Sequence, residues 1–496
     1  MRASRQSNPA ADAALASPSF VRLRQPAPPR NFKFTHAAVL RLSSVLLVLT
    51  CTAVFAADWP PTLDHKNTPA QTLDGRRIER YTHGPRPEWG YSAGSSTEWQ
   101  YPAPQESGPS GQNHNSFYVV VPRQAQRNSP LCVVMHSANR TAFDYLGYQF
   151  LKRKVDPQDE PAAVMTRTPD DCYALFLNST NEEWWGWTAA RSDTGKYSHE
   201  QTPAEKRVLD TLEWVIRRYH VDRNRVYLSG VSMGGCGALA LGLPHGNIFA
   251  AMLVVVPAGT EYAALRMGFP GALAPSATPQ ERDTWTKQIS GFGLPDPPVT
   301  VDFSATNDSW SKTQPELLQA AQAGRLPLIL AWGPFGHTGS STPIARYPED
   351  DVALAFPWME IRRNTAYPVF THASSNQRSP WEDSSASFDE SGQMNAYFRW
   401  KPQRDKTSRF AMTLWIAHPA VKNPPAAMPD SATADITLRR LQSFQATPGR
   451  TYTWKMVRHG KLVASGKISP DAANLLTVPH APLSVVPAEL SIELAK

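Results

Sequence analysis

Cysteine is scarce in this chain, with four among 496 residues. Cys51 falls in the N-terminal leader described below, which leaves Cys132, Cys172 and Cys236 for the rest of the chain. Three cysteines exclude a disulfide-rich scaffold and a four-cysteine zinc site. Two interpretations remain open: a bridge between Cys132 and Cys172, which lie on neighbouring predicted strands, or three small buried apolar side chains.

Net charge is nearly absent outside the N-terminal region. Residues 1–56 contain seven Lys or Arg and one Asp, so they hold +6 of the formal charge of +7 and leave +1 for the remaining chain. A near-neutral body lacks the basic surface that binds phosphate backbones, so we expect no nucleic-acid partner. The chain also lacks a Walker loop, an H-E-x-x-H motif and a dinucleotide fingerprint, and we predict neither a metal nor a cofactor.

The apolar run nearest the N-terminus is short. Charged residues end at Arg41, an apolar run 45–55 follows, and Val54-Phe55-Ala56 places small residues at −3 and −1 of a cleavage site. This pattern predicts a secretory signal peptide over 1–56, and therefore a periplasmic or secreted protein without a membrane partner after cleavage. The alternative is an uncleaved N-terminal anchor.

Short apolar runs that alternate with helical patterns dominate the middle of the chain. The segment 57–115 is rich in Pro, Gly, Ser and Trp, and we predict it to be irregular. Over 116–360, apolar runs such as Leu131–Met135 and Val226–Leu228 predict buried strands, and Thr202-Pro203 begins a helix with 3.6-residue spacing. This alternation predicts a mostly parallel sheet with helices on both faces.

The periodicity changes to two after about residue 365. In Tyr452-Thr453-Trp454-Lys455-Met456, alternate residues are apolar, which is typical of a half-buried strand. Several such segments follow one another, and they predict a β-sandwich-like domain over 365–496.

Gly230-Val231-Ser232-Met233-Gly234 is a G-x-S-x-G motif between a predicted strand and a predicted helix. A serine at a sharp strand-to-helix turn stands above the sheet edge, and glycines are needed because neighbouring backbone segments pack closely. The helix behind Ser232 offers free N–H groups to a developing oxyanion. The context predicts that Ser232 is a nucleophile; the alternative is a tight packing turn.

A serine nucleophile needs a base that is oriented by an acid. Both are expected on loops after later strands, because the carboxyl ends of parallel strands meet at one edge. Asp308 ends the loop after the strand 299–303, and His337 lies in the glycine-bounded loop after the strand 327–332. We predict Asp308 as the acid, with Asp302 as the competitor, and His337 as the base.

The N–H of Met233 is the predicted first donor of an oxyanion hole. The second donor is expected in the loop after Met135, where the N–H of Ser137 or of Ala138 is the candidate. We interpret His136 as a structural side chain that holds this loop.

The order Ser232, Asp308, His337 is that of α/β-hydrolases, and the stretch 222–235 resembles secreted esterases of the feruloyl-esterase, polyhydroxybutyrate-depolymerase and esterase-D-like families. The resemblance covers roughly 115–345. It implies an α/β-hydrolase fold and ester hydrolysis through an acyl-enzyme, on short acyl, aryl or polymer-linked esters, without metal or cofactor. His136-Ser137 stands where many relatives carry His-Gly-Gly.

Trp184, Trp185 and Trp187 follow the predicted strand 173–177 at the edge where ligands bind in such sheets. They are either an aromatic wall for the substrate or a hydrophobic plug under a loop. Two other functions remain open: a prolyl-oligopeptidase-like serine peptidase, and a non-catalytic protein that contacts glycans through its C-terminal domain.

Overall fold

The computed structural model describes residues 61–66, 68, 72, 74–83, 89, 116–138, 140–151, 168–178, 203–257, 296–337, 355–381, 390–421 and 428–495. The predicted leader 1–56 and the three tryptophans 184, 185 and 187 lie outside the described residues. The cleavage and location predictions for the leader therefore stay predictions.

In the described part of the chain, ten strands form the central sheet, and their bounds are β1 Thr62–Leu63, β2 Arg77–Thr82, β3 Ser116–Val121, β4 Leu131–Met135, β5 Tyr173–Leu177, β6 Val226–Val231, β7 Ala251–Val255, β8 Val299–Ala305, β9 Leu328–Gly333 and β11 Gly392–Met394. Their order across the sheet is β1-β2-β3-β5-β4-β6-β7-β8-β9-β11. The six neighbouring strands β5-β4-β6-β7-β8-β9 are parallel to one another. Every other neighbouring pair in this sheet is antiparallel. The predicted mostly parallel central sheet is confirmed.

Four α-helices are described: α1 Ala142–Phe150, α2 Pro203–Tyr219, α3 Met233–Gly242 and α4 Gln314–Gly324. Helix α2 begins at the proline that the sequence predicts as its first position, where a missing N–H costs no hydrogen bond. Among the described residues, no helix is both long and apolar enough to cross a membrane.

Each face of the sheet contributes to its own hydrophobic core, because side chains of a strand point alternately to opposite faces. On β4, Cys132 and Val134 join a core with α1, whereas Leu131 and Val133 join a core with α2, α3 and α4. The first core continues into apolar side chains of the C-terminal strands, such as Phe370. The C-terminal strands therefore help to cover one face of the central sheet.

Two strands, β1 and β2, lie in the segment 57–115 that we predict to be irregular. Strand β2 has the sequence Arg-Ile-Glu-Arg-Tyr-Thr. Most of these residues are polar, so the segment lacks the apolar run that predicts a buried strand. Its polar side chains have polar partners: Arg80 forms an ion pair with Asp64, and Glu79 accepts hydrogen bonds from Tyr81 and Tyr219. Correcting this prediction adds two antiparallel strands to the sheet edge.

The C-terminal strands are β10 Tyr367–Thr371, β12 Phe398–Lys406, β13 Arg409–Ile416, β14 Ser431–Arg439, β15 Tyr452–Arg458, β16 Lys461–Ile468, β17 Thr477–Ser484 and β18 Ala488–Leu494. They form an antiparallel sheet of order β10-β14-β17 and another of order β12-β13-β18-β15-β16. Strand β11 belongs to this region of the sequence but pairs with β9 in the central sheet. Residues Asp58–Lys496 form one compact unit.

Arg440, directly after β14, reaches from the C-terminal region into the amino-end edge of the central sheet. Its buried guanidinium donates to five main-chain carbonyls that precede β7 and β8, namely those of Gly246, Phe249, Ala250, Asp296 and Pro297. Its backbone N–H donates to the Asp296 carboxylate at 2.6 Å, and its guanidinium lies 4.9 Å from the Tyr367 ring centroid. A buried charged group is tolerated only when polar partners such as these carbonyls compensate for the loss of water.

Cys132, Cys172 and Cys236 form no disulfide bond, and all three are buried. Burial raises the pKa of the Cys132 thiol to about 12. This arrangement agrees with the interpretation of three small buried side chains and not with a Cys132–Cys172 bridge.

Candidate active site

Ser232 stands at the turn between β6 and α3. Its backbone has φ 54° and ψ −119°, a conformation that costs a non-glycine residue on the order of 1–3 kcal/mol. The Ser232 N–H donates to the carbonyl of Val255 at the end of β7, and the Ser232 carbonyl accepts from the Cys236 N–H, both at 3.0 Å. The turn is therefore held from the neighbouring strand and from the helix.

The two glycines of the motif are required by close backbone approach. A Cβ on Gly230 would lie 2.2 Å from the Gly234 carbonyl oxygen, and one on Gly234 would lie 2.2 Å from the Met135 carbonyl oxygen. Each contact is with backbone, which cannot rotate away as a side chain can. The Gly234 position also presses the turn against the end of β4, from which the predicted second oxyanion donor follows.

Ser232, His337 and Asp308 form a continuous hydrogen-bonded chain. Ser232 Oγ lies 2.7 Å from His337 Nε2, and His337 Nδ1 lies 2.5 Å from Asp308 Oδ2. The carboxylate accepts from Nδ1–H, which leaves Nε2 as the acceptor for the serine hydroxyl. The Asp308 side chain is 2% exposed and that of His337 29%, so the carboxylate is shielded while the imidazole borders solvent.

The loops that carry Asp308 and His337 are joined to each other. Asn307 Oδ1 accepts from the Gly336 N–H at 2.7 Å, and the Thr306 N–H donates to the Gly333 carbonyl at 2.9 Å. Phe335 stacks on Phe303 with ring centroids 4.3 Å apart. These contacts hold the imidazole of His337 next to the Asp308 carboxylate.

Asn307 is a residue of the site that the sequence does not predict. It lies beside Asp308 in the sequence, but an exposed asparagine in a loop carries no signal of a particular partner. Only the fold brings it to Gly336.

The predicted oxyanion donors lie on two elements that touch. Met233 is the first residue of α3, so its N–H has no acceptor within the helix. Ser137 and Ala138 follow β4. The carbonyl groups of Met135, the last residue of β4, and of His136 lie against Gly234. Met233 and Ser137 are each 2% exposed, and Ala138 is half-buried.

His136 is buried beside this loop. Its Nδ1 donates to the Ser137 carbonyl at 2.9 Å, and its ring centroid lies 6.3 Å from that of Tyr145. Burial lowers the pKa of His136 to about 4, so the ring is neutral at physiological pH. This environment is consistent with the structural role that we interpret from the sequence.

Asp302, the competing acid, does not contact His337. It lies within β8, fully buried, where Oδ1 accepts from the Ser304 hydroxyl at 2.6 Å and Oδ2 accepts from Gln314 Nε2 at 3.0 Å. Burial raises the pKa of Asp302 to about 6. The structure therefore joins His337 to Asp308 and keeps Asp302 in a separate network.

We expect His136 and Asp302 to change the pH dependence of stability in opposite directions. Unfolded His136 binds a proton near pH 6.5 and folded His136 only near pH 4, so acid favours the unfolded chain in this window. Folded Asp302 binds a proton near pH 6 and the unfolded carboxyl near 3.8, so acid favours the folded chain there. Each contribution is on the order of a few kcal/mol.

Denaturant unfolding of the wild type, His136→Asn and Asp302→Asn at pH 7, 5.5 and 4.5 measures these contributions. The Asp302→Asn protein should lose stability more steeply than the wild type as pH falls, and the His136→Asn protein less steeply. Parallel profiles for all three proteins would contradict the assignment.

Among the described residues, no group of three or more His, Cys, Asp or Glu side chains is placed to hold a metal ion.

No family model matches the chain. One curated relative, acetylxylan esterase A of Emericella nidulans, is 24% identical over 148 residues, which cover 29% of this chain and 44% of that protein. The chain thus spans less than half the length of this relative. The match agrees with the predicted resemblance to esterases.

The chain resembles the serine esterases. Similar solved structures include FphF, a fluorophosphonate-binding serine hydrolase of Staphylococcus aureus, with TM-score 0.32, 13% identity, and coverage of 49% of this chain and 91% of that one. An S-formylglutathione hydrolase of Agrobacterium tumefaciens has TM-score 0.31, 14% identity, and coverage of 57% and 95%.

Proposed function

We propose that this chain is a serine carboxylic-ester hydrolase in which Ser232 is the nucleophile, His337 the general base and Asp308 the residue that orients it. The supporting observation is the hydrogen-bonded chain from Ser232 Oγ through the imidazole to the Asp308 carboxylate. The proposed substrates are short acyl, aryl or polymer-linked esters. Polymer-linked esters are included because the curated relative is named for its action on acetylated xylan.

Acylation begins when His337 Nε2 takes the proton of the Ser232 hydroxyl as Oγ bonds to the ester carbonyl carbon. The carbonyl oxygen becomes an oxyanion, which the N–H groups of Met233 and of Ser137 or Ala138 stabilise. The carbon–oxygen bond to the alcohol then breaks. His337 gives its proton to the departing oxygen, so that a neutral alcohol leaves and the acyl group stays on Ser232.

Deacylation repeats these proton transfers with water. His337 Nε2 takes a proton from a water molecule while the water oxygen bonds to the acyl carbon. The bond to Oγ breaks, His337 returns the proton to Ser232, and the carboxylic acid leaves. Asp308 stays ionised throughout and stabilises the imidazolium that forms in each half of the cycle.

The setting of the enzyme is also part of the proposal. The predicted leader 1–56 supports an exported protein, periplasmic or secreted. Trp184, Trp185 and Trp187 are proposed as an aromatic wall for the substrate. The antiparallel sheets over 365–496 are proposed to be a sandwich-like domain that contacts the glycan when the ester is polymer-linked.

A fluorophosphonate probe tests the nucleophile directly, since it forms a stable phosphonyl ester with an activated serine. We expect the wild type to be labelled on the peptide that contains Ser232, as read by mass spectrometry. The Ser232→Ala protein should not be labelled. Ser309→Ala is the matched control, because Ser309 is an exposed serine next to Asp308 and its loss should leave labelling unchanged. An unlabelled wild type, or label at another residue, would reject the proposal.

A further inference from the structure

Trp310 is an exposed aromatic side chain at the edge of the candidate active site. It is 47% exposed, and of the large apolar side chains that the described residues expose, it is the only aromatic one. The four others, Leu462, Val463, Val485 and Leu494, all belong to the C-terminal region. The exposed part of this indole offers an apolar surface to a ligand beside the candidate reactive groups.

The position of Trp310 is coupled to the acid of the triad. Asp308 caps the short 3-10 helix Ser309–Thr313, and its Oδ1 accepts the Trp310 N–H at 2.9 Å. The other carboxylate oxygen of Asp308 holds His337. The Trp310 ring centroid lies 6.4 Å from that of the imidazole, with the planes 42° apart. Backbone and carboxylate therefore place the indole beside the base.

The base side of the site receives the alcohol half of an ester. His337 must protonate the departing alcohol oxygen, so that oxygen comes within hydrogen-bond distance of Nε2. The carbon atoms attached to it then lie next to the imidazole, where the indole is. The acyl half points to the Oγ and oxyanion side of the site and is the part retained on Ser232.

We propose that Trp310 is a specificity residue for the alcohol part of the substrate, contacting a six-membered ring on that alcohol with the apolar face of its indole. The inference rests on the proposed esterase function. A ring with a flat apolar face satisfies this contact, and both an aryl group and a pyranose have one. An alcohol without a ring gains little from it.

Three acetates test the proposal: ethyl acetate, benzyl acetate and a mono-acetylated methyl pyranoside. All three give the same acetyl-enzyme, so deacylation is identical and kcat/KM reports the step in which the alcohol is still present. We expect Trp310→Ala to lower kcat/KM by about tenfold for a ring alcohol and by less than about twofold for ethyl acetate. A larger loss with benzyl acetate identifies an aryl alcohol, and a larger loss with the acetylated pyranoside identifies a sugar.

Trp310→Phe should retain most of the activity on ring alcohols, because it keeps an aromatic face. Leu462→Ala, at a 59% exposed position on β16, is the control and should behave as the wild type. Equal losses on all three acetates, or no loss on any, would overturn the proposal while leaving the esterase function intact. A wild type that hydrolyses none of them and takes up no fluorophosphonate would reject the esterase function itself.

Discussion

Replacing Ser232 by alanine should reduce kcat for p-nitrophenyl acetate by about 10⁵-fold or more, because the proposed acyl-enzyme forms on the Ser232 hydroxyl. The remaining activity would come from the oxyanion donors and from water activated by His337. Within the described part of the chain, the Ser232 side chain makes one hydrogen bond, to the imidazole of His337 at 2.7 Å. Its loss should therefore change the melting temperature by only a few degrees.

Steady-state hydrolysis and thermal unfolding of the same preparation check this result together. Active-site titration with fluorophosphonate sets the concentration of active wild-type enzyme. A folded Ser232→Ala protein that keeps more than about one hundredth of the wild-type kcat would contradict a serine mechanism.

Asp308→Asn should lower kcat by about 10⁴-fold while leaving the fold intact. The carboxylate of Asp308 accepts Nδ1–H at 2.5 Å. An asparagine amide can instead donate to Nδ1, which moves the proton of the neutral ring to Nε2. Nε2 then faces the Ser232 hydroxyl as a donor and cannot take its proton. Steady-state kcat for p-nitrophenyl acetate and thermal unfolding of the same preparation measure the two parts of this expectation.

Asp302→Asn is the matched control for Asp308→Asn. Asp302 lies within β8 and Asp308 in the loop that follows it, and both are buried, but Asp302 bonds Ser304 and Gln314 rather than the imidazole. Asparagine can serve the same two partners by accepting from Gln314 and donating to Ser304. We expect near-wild-type kcat for Asp302→Asn. A large loss there, with little loss for Asp308→Asn, would exchange the assignment of the two residues.

Much of the candidate site could be predicted because its residues occupy positions that a parallel sheet dictates. Gly230 and Gly234 mark a turn where backbone meets backbone, and the loops after β8 and β9 end at the same sheet edge as Ser232. These relations depend on local pattern and on the order of strands along the chain. The roles of the residues as nucleophile, acid and base stay predictions until the kinetic tests are made.

Contacts between segments that are far apart in the sequence could not be predicted, because no local pattern encodes them. Strand β11 lies in the C-terminal region of the sequence but pairs within the central sheet. Arg440 donates to five main-chain carbonyls that are far from it in the sequence. Asn307 joins two loops 29 residues apart. In each case the structural role of a polar or short segment depends on a partner that is distant in the sequence. Hydrophobic periodicity carries no information about such partners.

Arg440 and β11 limit how this molecule can be shortened or recombined. Cutting the chain after residue 360 would leave main-chain carbonyls before β7 and β8 without their guanidinium donor, and the outer edge of β9 open to pairing with another molecule. Domain shuffling that moves residues 116–360 alone into a fusion protein would therefore transfer a defective scaffold prone to aggregation. The portion that can be exchanged between proteins as a unit includes the strands that follow it.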